Sequence, residues 1–133
     1  MRRAAERTVV LTLAGGILVS LALVGALAAG LYDGTYHGTL TADGANATTC
    51  AKQAPVQITV TDNRLEYNHM GNALITSTVG PDGSFSGSAA SRFSGNRSGP
   101  LVTSIEGKIA GGAIQAHANT GNSCHYKLQL KKF

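Results

Sequence analysis

The chain has no tryptophan, and only four tyrosines and three phenylalanines stand among its 133 residues. So few large rings exclude a core built on aromatic bulk. A small domain with such a core is marginal on buried area alone and needs a staple. Charge is also scarce: Asp, Glu, Lys and Arg make up 14% of the chain. The formal net charge of +4 splits evenly, with +2 from Arg2, Arg3, Arg7 and Glu6 and +2 from everything after them. A nucleic-acid surface calls for a basic stripe on one face, and this balance excludes one. The Lys131-Lys132 pair reads as a solvated strand end. C-x-x-C, G-x-S-x-G and H-E-x-x-H are all missing. Their absence removes the thiol-redox, nucleophile-elbow and zincin readings. After residue 30 no stretch repeats its apolar residues at helical spacing.

What the chain does have begins with one uncharged run. Residues 8–30 carry no charge over 23 positions, behind Arg2, Arg3 and Arg7, and Ala26-Leu27-Ala28 closes the run. Basic, then apolar, then A-x-A is the order of a secretory signal peptide, which assigns residues 1–28. The run is also long enough to cross a bilayer, so an uncleaved apolar helix anchoring residues 8–30 is the alternative. Either reading exports the rest of the chain, to the periplasm or beyond, or holds it outside the cytoplasmic membrane. Membrane contact is then confined to residues 8–30. Arg2-Arg3 is followed by Ala4-Ala5-Glu6 rather than apolar residues, against a twin-arginine signal, and no Cys follows the run to take a lipid.

Residues 31–133 read as a single β domain written twice, over about 33–79 and 82–130. Asp33-Gly34-Thr35-Tyr36-His37-Gly38 aligns with Asp82-Gly83-Ser84-Phe85-Ser86-Gly87 at an offset of 49, and the same offset sets Val56, Ile58 and Val60 on Ile105, Gly107 and Ile109. Two matches at one spacing point to a repeated supersecondary unit. Each unit reads as four strands. A D-G-x-aromatic-x-G strand comes first, then two strands joined by Asp62-Asn63 or Gly111-Gly112, pairs that accept positive φ. Leu74 to Val79 and His125 to Leu130 close the units, and Pro81-Asp82-Gly83 joins the copies as a hairpin turn. Val56, Ile58 and Val60 alternate with polar residues, as do Tyr126, Leu128 and Leu130, which is the pattern of a half-buried antiparallel strand. The fold class expected is all-β: a small antiparallel up-and-down meander of eight strands following an N-terminal apolar helix. Such a meander closes as a barrel or folds as a sandwich. The glycines beside Tyr36 and Phe85 favour the barrel, where strands coil sharply and a ring covers the gap. Tyr36 and Phe85 accordingly read as core.

Cys50 and Cys124 are the only cysteines, and both fall in the exported part. An even count in an oxidising compartment predicts a disulfide. Cys50 follows the first strand and Cys124 opens the last, so the bridge is expected to pin the seam where the barrel shuts. Closing a loop of about 75 residues is worth roughly 4 kcal/mol in the loop-entropy account.

Candidate chemistry is thin. A last hairpin centred on Gly121 would set His117 directly opposite His125 on the polar face, about 5 Å apart at Cβ, with His37 approaching across the seam. His37, His117 and His125 are therefore the candidate ligands for Zn²⁺ or Cu²⁺, against the plainer reading of three unconnected surface histidines. Asp33, Asp62 and Asp82 are accounted for as turn residues, and no carboxylate pair is poised for acid–base work. Ser123 and His125 flank Cys124 rather than meeting. Asn46-Ala47-Thr48 and Asn96-Arg97-Ser98 match the glycosylation pattern at a frequency chance supplies. Residues 86–100 are rich in Gly and Ser and carry Arg92 and Arg97 about Phe93, so these three are the candidate contacts of a rim loop.

The spaced elements D-G-x-[YF]-x-G, a Cys, an alternating strand, D-G-S-F-S-G and a closing C-x-Y-x-L-x-L resemble small exported bacterial proteins of uncharacterised function, over residues 33–130. The resemblance implies a periplasmic or secreted β domain and brings no activity or cofactor. The reading that follows is a non-enzymatic envelope module that binds a protein or a small ligand. The alternatives are a metal-binding or enzymatic domain using the histidines, and a structural domain tethered by residues 8–30.

Overall fold

The computed structural model describes residues 30–133 apart from 45, 47, 92–100 and 122. The signal or anchor segment and the rim-loop candidates Arg92, Phe93 and Arg97 lie outside the described residues. The described chain forms eight antiparallel strands: β1 (Gly34–Ala42), β2 (Gln53–Thr61), β3 (Arg64–His69), β4 (Ala73–Thr78), β5 (Ser84–Ala90), β6 (Val102–Ala110), β7 (Ala113–Thr120) and β8 (Cys124–Lys132). Their order in the sheet is β4-β3-β2-β1-β8-β7-β6-β5. This is an up-and-down meander rolled into a nearly closed barrel.

The strands form where alternation demands it. Val56, Ile58, Val60, Leu65, Tyr67, Ile105, Ile109, Ile114, Tyr126, Leu128 and Leu130 all turn inward and are buried, and the residues between them face out. Tyr36 and Phe85 are core, at 1% and 5% exposure. The two short turns use the residues expected of them. Asp62 and Asn63 have φ of 50° and 61°, and Gly111 and Gly112 have 58° and 72°. Two successive positive φ values make the type I′ turn whose twist matches the strands it joins. Asp33 secures the first of these turns: its carboxylate accepts the Asp62 and Asn63 backbone N–H groups at 3.0 and 3.3 Å. Asp82 instead holds its own turn, accepting from the Ser84 N–H at 3.1 Å and the Ser84 hydroxyl at 2.6 Å. The Ser84 hydroxyl and N–H hold the Asp82 carboxyl below its ordinary pKa.

The structure places the incomplete seam elsewhere than expected. β1 and β8 pair continuously, from Tyr36↔Lys132 to Ala42↔Tyr126. The unladdered seam lies between β4 and β5, on the other side of the barrel. Pro81-Asp82-Gly83 is therefore a turn but not the turn of a hairpin. The turn itself is closed, with the Gly80 N–H donating to the Ser84 carbonyl and the Gly83 N–H to the Gly80 carbonyl, each at 2.9 Å, but no ladder continues beyond it. The Val79 N–H donates to Asn63 at the foot of β3, and the Gly83 carbonyl accepts from Ile109 of β6. The strands leave the turn splayed, and the Ser77 hydroxyl, donating to the Ser86 carbonyl at 2.7 Å, bridges them. Gly87 permits this approach, since a Cβ there would stand 2.9 Å from the Ile75 side chain.

The barrel has two unlike ends. At the lower end the chain enters β1, the turns at 62–63 and 111–112 are tight, and β8 finishes. At the upper end lie the longer connection 43–52, the links from β3 to β4 and from β7 to β8, and the facing ends of β5 and β6. The disulfide Cys50–Cys124 sits at the upper end, with Cα atoms 5.6 Å apart. There it ties the 43–52 connection to the start of β8.

Candidate functional site

Polar chemistry gathers at the upper end, inside and out. Inside, alternation along β3 carries Leu65, Tyr67 and His69 to the lumen, and His69 is only 3% exposed. Its Nδ1 lies 2.6 Å from the Tyr67 hydroxyl and its Nε2 lies 3.1 Å from Thr120 Oγ1. Thr120 Oγ1 continues to Thr103 Oγ1 at 3.2 Å. The chain of contacts thus crosses the barrel from β3 to β7 and β6. The Tyr126 ring closes over the imidazole, with centroids 5.5 Å apart. A neutral imidazole suits the site: it accepts from the Tyr67 O–H at Nδ1 and donates from Nε2–H to Thr120. Burial pushes the His69 pKa down to about 4. Burial, and secondarily the Tyr126 phenol, pushes the Tyr67 hydroxyl well above its ordinary value.

This network makes a direct prediction. Tyr67→Phe removes the donor to a buried imidazole nitrogen and leaves that nitrogen unsatisfied. An orphaned buried acceptor costs about 1–3 kcal/mol, so the urea midpoint should fall by that equivalent with the slope of the transition unchanged.

Outside, a depression of about 480 Å³ is lined by Asp43, Gly44, Glu106, His117, Asn119, His125 and Tyr126. His117 Nδ1 stands 3.5 Å from Asp43 Oδ2, both side chains more than half exposed, a geometry worth little in water. His125 Nδ1 meets Asn119 Oδ1 at 2.8 Å. Asn46 clamps the rim here. Its amide donates to the His125 carbonyl and its oxygen accepts from the His125 N–H, each at 2.9 Å. The Asn46 glycosylation match thus falls on an asparagine whose amide is engaged with the backbone.

The candidate histidines are not arranged as expected. His117 pairs across from Lys127, and His125 across from Asn119. The β7–β8 link runs over residues 121–123, because the Gly121 N–H is taken by the Val102 carbonyl of β6 and Thr120↔Cys124 is the last pair. Moving the turn centre by one residue moves each partner by two. His117 and His125 therefore stay on one face but become diagonal neighbours, roughly 7–8 Å apart along the backbone. His37 is opposite Lys131, roughly 20 Å down the strand from the level of His125. Its ring packs edge-on against Phe133 at 5.1 Å. Among the described residues no three His, Cys, Asp or Glu side chains converge as a metal-binding group.

His69 was not among the candidates drawn from the sequence. The signal was present in the Leu65, Tyr67, His69 alternation, which puts the imidazole on the apolar face of β3. Fold and site together define a small disulfide-stapled antiparallel barrel with a side-chain-filled interior and a polar upper end. No family model, curated protein or solved structure matches the chain.

Proposed function

We propose that the protein is an exported envelope module that engages a protein partner through the upper end of its barrel, without catalysing a reaction. The observation that carries this reading is the inequality of the two ends. The lower end is closed by the two-residue turns 62–63 and 111–112 and the 79–83 link, whereas the upper end carries the long 43–52 connection, the Cys50–Cys124 bridge and the Asn46 clamp. Long loops on a rigid scaffold are where contacts to other molecules concentrate. A protein partner is favoured over an interior ligand because Tyr36, Tyr67, Tyr126 and the aliphatic side chains about them fill the lumen.

The chain enters the barrel at the lower end, so a tether in residues 8–30 would leave the upper end pointing away from the membrane. The bridge suits an oxidising compartment. Duplication of a four-strand unit is part of the same proposal. It is supported by the starts of β2 and β6 at 53 and 102, and of β3 and β7 at 64 and 113.

A photo-crosslinking side chain tests the reading in the native envelope. Placed at exposed Thr48, on the upper end, it should capture one discrete protein species. Placed at exposed Ala110, at the lower end, it should capture none. Equal capture from both positions, or none from Thr48, refutes an upper-end interface.

A further inference from the structure

The β3–β4 hairpin is held unequally along its length. β3 pairs with β2 from Thr61↔Arg64 up to Ile58↔Tyr67, and the ladder stops there. Above that level the hairpin pairs only with itself, through Asn68↔Leu74 and His69↔Ala73, and β4 has no ladder on its other side. Continued upward, this register sets Gln57, Val56 and Pro55 opposite Asn68, His69 and Met70, with no ladder between them, and the Pro55 nitrogen has no hydrogen to donate. The outer surface of the tip carries Met70 and Leu74, 42% and 47% exposed. They border a groove of about 390 Å³ that Leu40, Pro55, Val56 and Tyr67 also line.

What fastens the tip to the rest of the barrel is its inward side, Ala73 and His69. The His69 imidazole meets Tyr67 on its own strand, Thr120 of β7 and the Tyr126 ring of β8, and Thr120 in turn meets Thr103 of β6. Among these described contacts the only other titrating groups are the two phenols, and no carboxylate, lysine or arginine is present to balance a charge.

We infer that the β3–β4 tip is a latch, held shut near neutral pH by His69 among Thr120, Thr103 and Tyr126, and released in acid. The Tyr67 and Thr120 hydroxyls can each donate or accept, so they serve a neutral and a protonated ring alike. What the protonated ring adds is an unpaired charge in a dry site, which is costly unless the group reaches water. Swinging the tip outward meets that need at the cost of few backbone pairs, as expected for a low-stability unit of a fold.

The direction with pH follows. The shut state holds the His69 pKa near 4, against 6.5 for an exposed imidazole, so the open state takes the proton first. The shut state is fully favoured above about pH 6.5 and loses ground as pH falls toward about 4. At pH 5 the opening equilibrium should exceed its value at pH 7.5 by about thirtyfold.

Amide hydrogen exchange of the disulfide-intact protein, corrected for the intrinsic effect of pH, reads this directly. Amides of residues 68–74 should become about thirtyfold less protected between pH 7.5 and pH 5.0, and at both pH values they should be far less protected than Leu40 of β1 and Leu128 of β8, which exchange only through global unfolding. An unchanged tip, or a tip as well protected as β1 and β8, overturns the latch. His69→Gln should abolish the pH dependence, and its persistence also overturns the proposal. Thr120→Val removes the partner of Nε2 without touching a titrating group. It should deprotect the tip several-fold at pH 7.5, and no change there counts equally against the latch.

Discussion

Serine at both Cys50 and Cys124 is expected to lower folding stability by about 4 kcal/mol, which for a domain of this size is roughly 15–30 °C in Tm. The bridge joins positions 74 residues apart, and a cross-link over so long a loop withdraws many conformations from the unfolded chain. Its contribution in the folded state is smaller than its position first suggests. β1 and β8 are already zipped by a continuous ladder, so the barrel does not depend on the bridge to shut there. What the bridge holds in the native protein is the 43–52 connection against the start of β8, where Asn46 also binds both backbone groups of His125. The variant should therefore keep the far-ultraviolet spectrum of a β protein while unfolding at much lower urea. Reducing agent added to the wild type should reproduce the same midpoint. A loss below about 1 kcal/mol would mean that the unfolded chain is already compact around the two positions.

Gly38→Ala is the second large effect. Gly38 faces inward between Tyr36 and Leu40, where β1 coils against β8. A Cβ there would land on the Gln129 carbonyl and stand 2.6 Å from Leu130 Cα. Both obstacles are backbone, so relief requires moving a strand rather than turning a side chain. Overpacking of this kind costs about 3 kcal/mol or more. Gly44→Ala serves as the comparison. It has φ of 78° but nothing within 4 Å of a built Cβ, so it carries only local backbone strain of roughly 1 kcal/mol. Urea unfolding of the two variants should separate them clearly. Equal losses would show that the β1–β8 approach can relax.

Much of the architecture was legible because it depends on neighbours in the chain. Alternation of Val56, Ile58 and Val60, or of Tyr126, Leu128 and Leu130, requires only that one face of a strand be dry. Asp62-Asn63 and Gly111-Gly112 announce positive φ in their own chemistry. The pairing of Cys50 with Cys124 follows from there being two cysteines at the ends of strands that a meander brings together. Even His69 was readable as an inward residue of β3.

Other features were not local, and the sequence could not carry them. His69 meets Thr120, 51 positions away along the chain, and Thr120 meets Thr103, 17 positions back, and only the rolling of the sheet brings the three within reach. The pairing of His117 with Lys127 turned on a single N–H, that of Gly121, being drawn to Val102 of β6. Alternation survives such a shift unchanged, because moving a partner by two residues preserves the face. Which seam stays open was likewise decided far from any motif. Gly80 and Ser84 bond across the turn, yet β4 and β5 run on from it without a ladder. By itself the sequence determined the strands, their inward faces, their tight turns and their covalent staple, since each is governed by residues in contact along the chain or by a count of two. Only the tertiary structure decided the register of the last hairpin, the open β4–β5 seam and the buried network at His69, since each is a competition among backbone and side-chain groups that folding alone brings together.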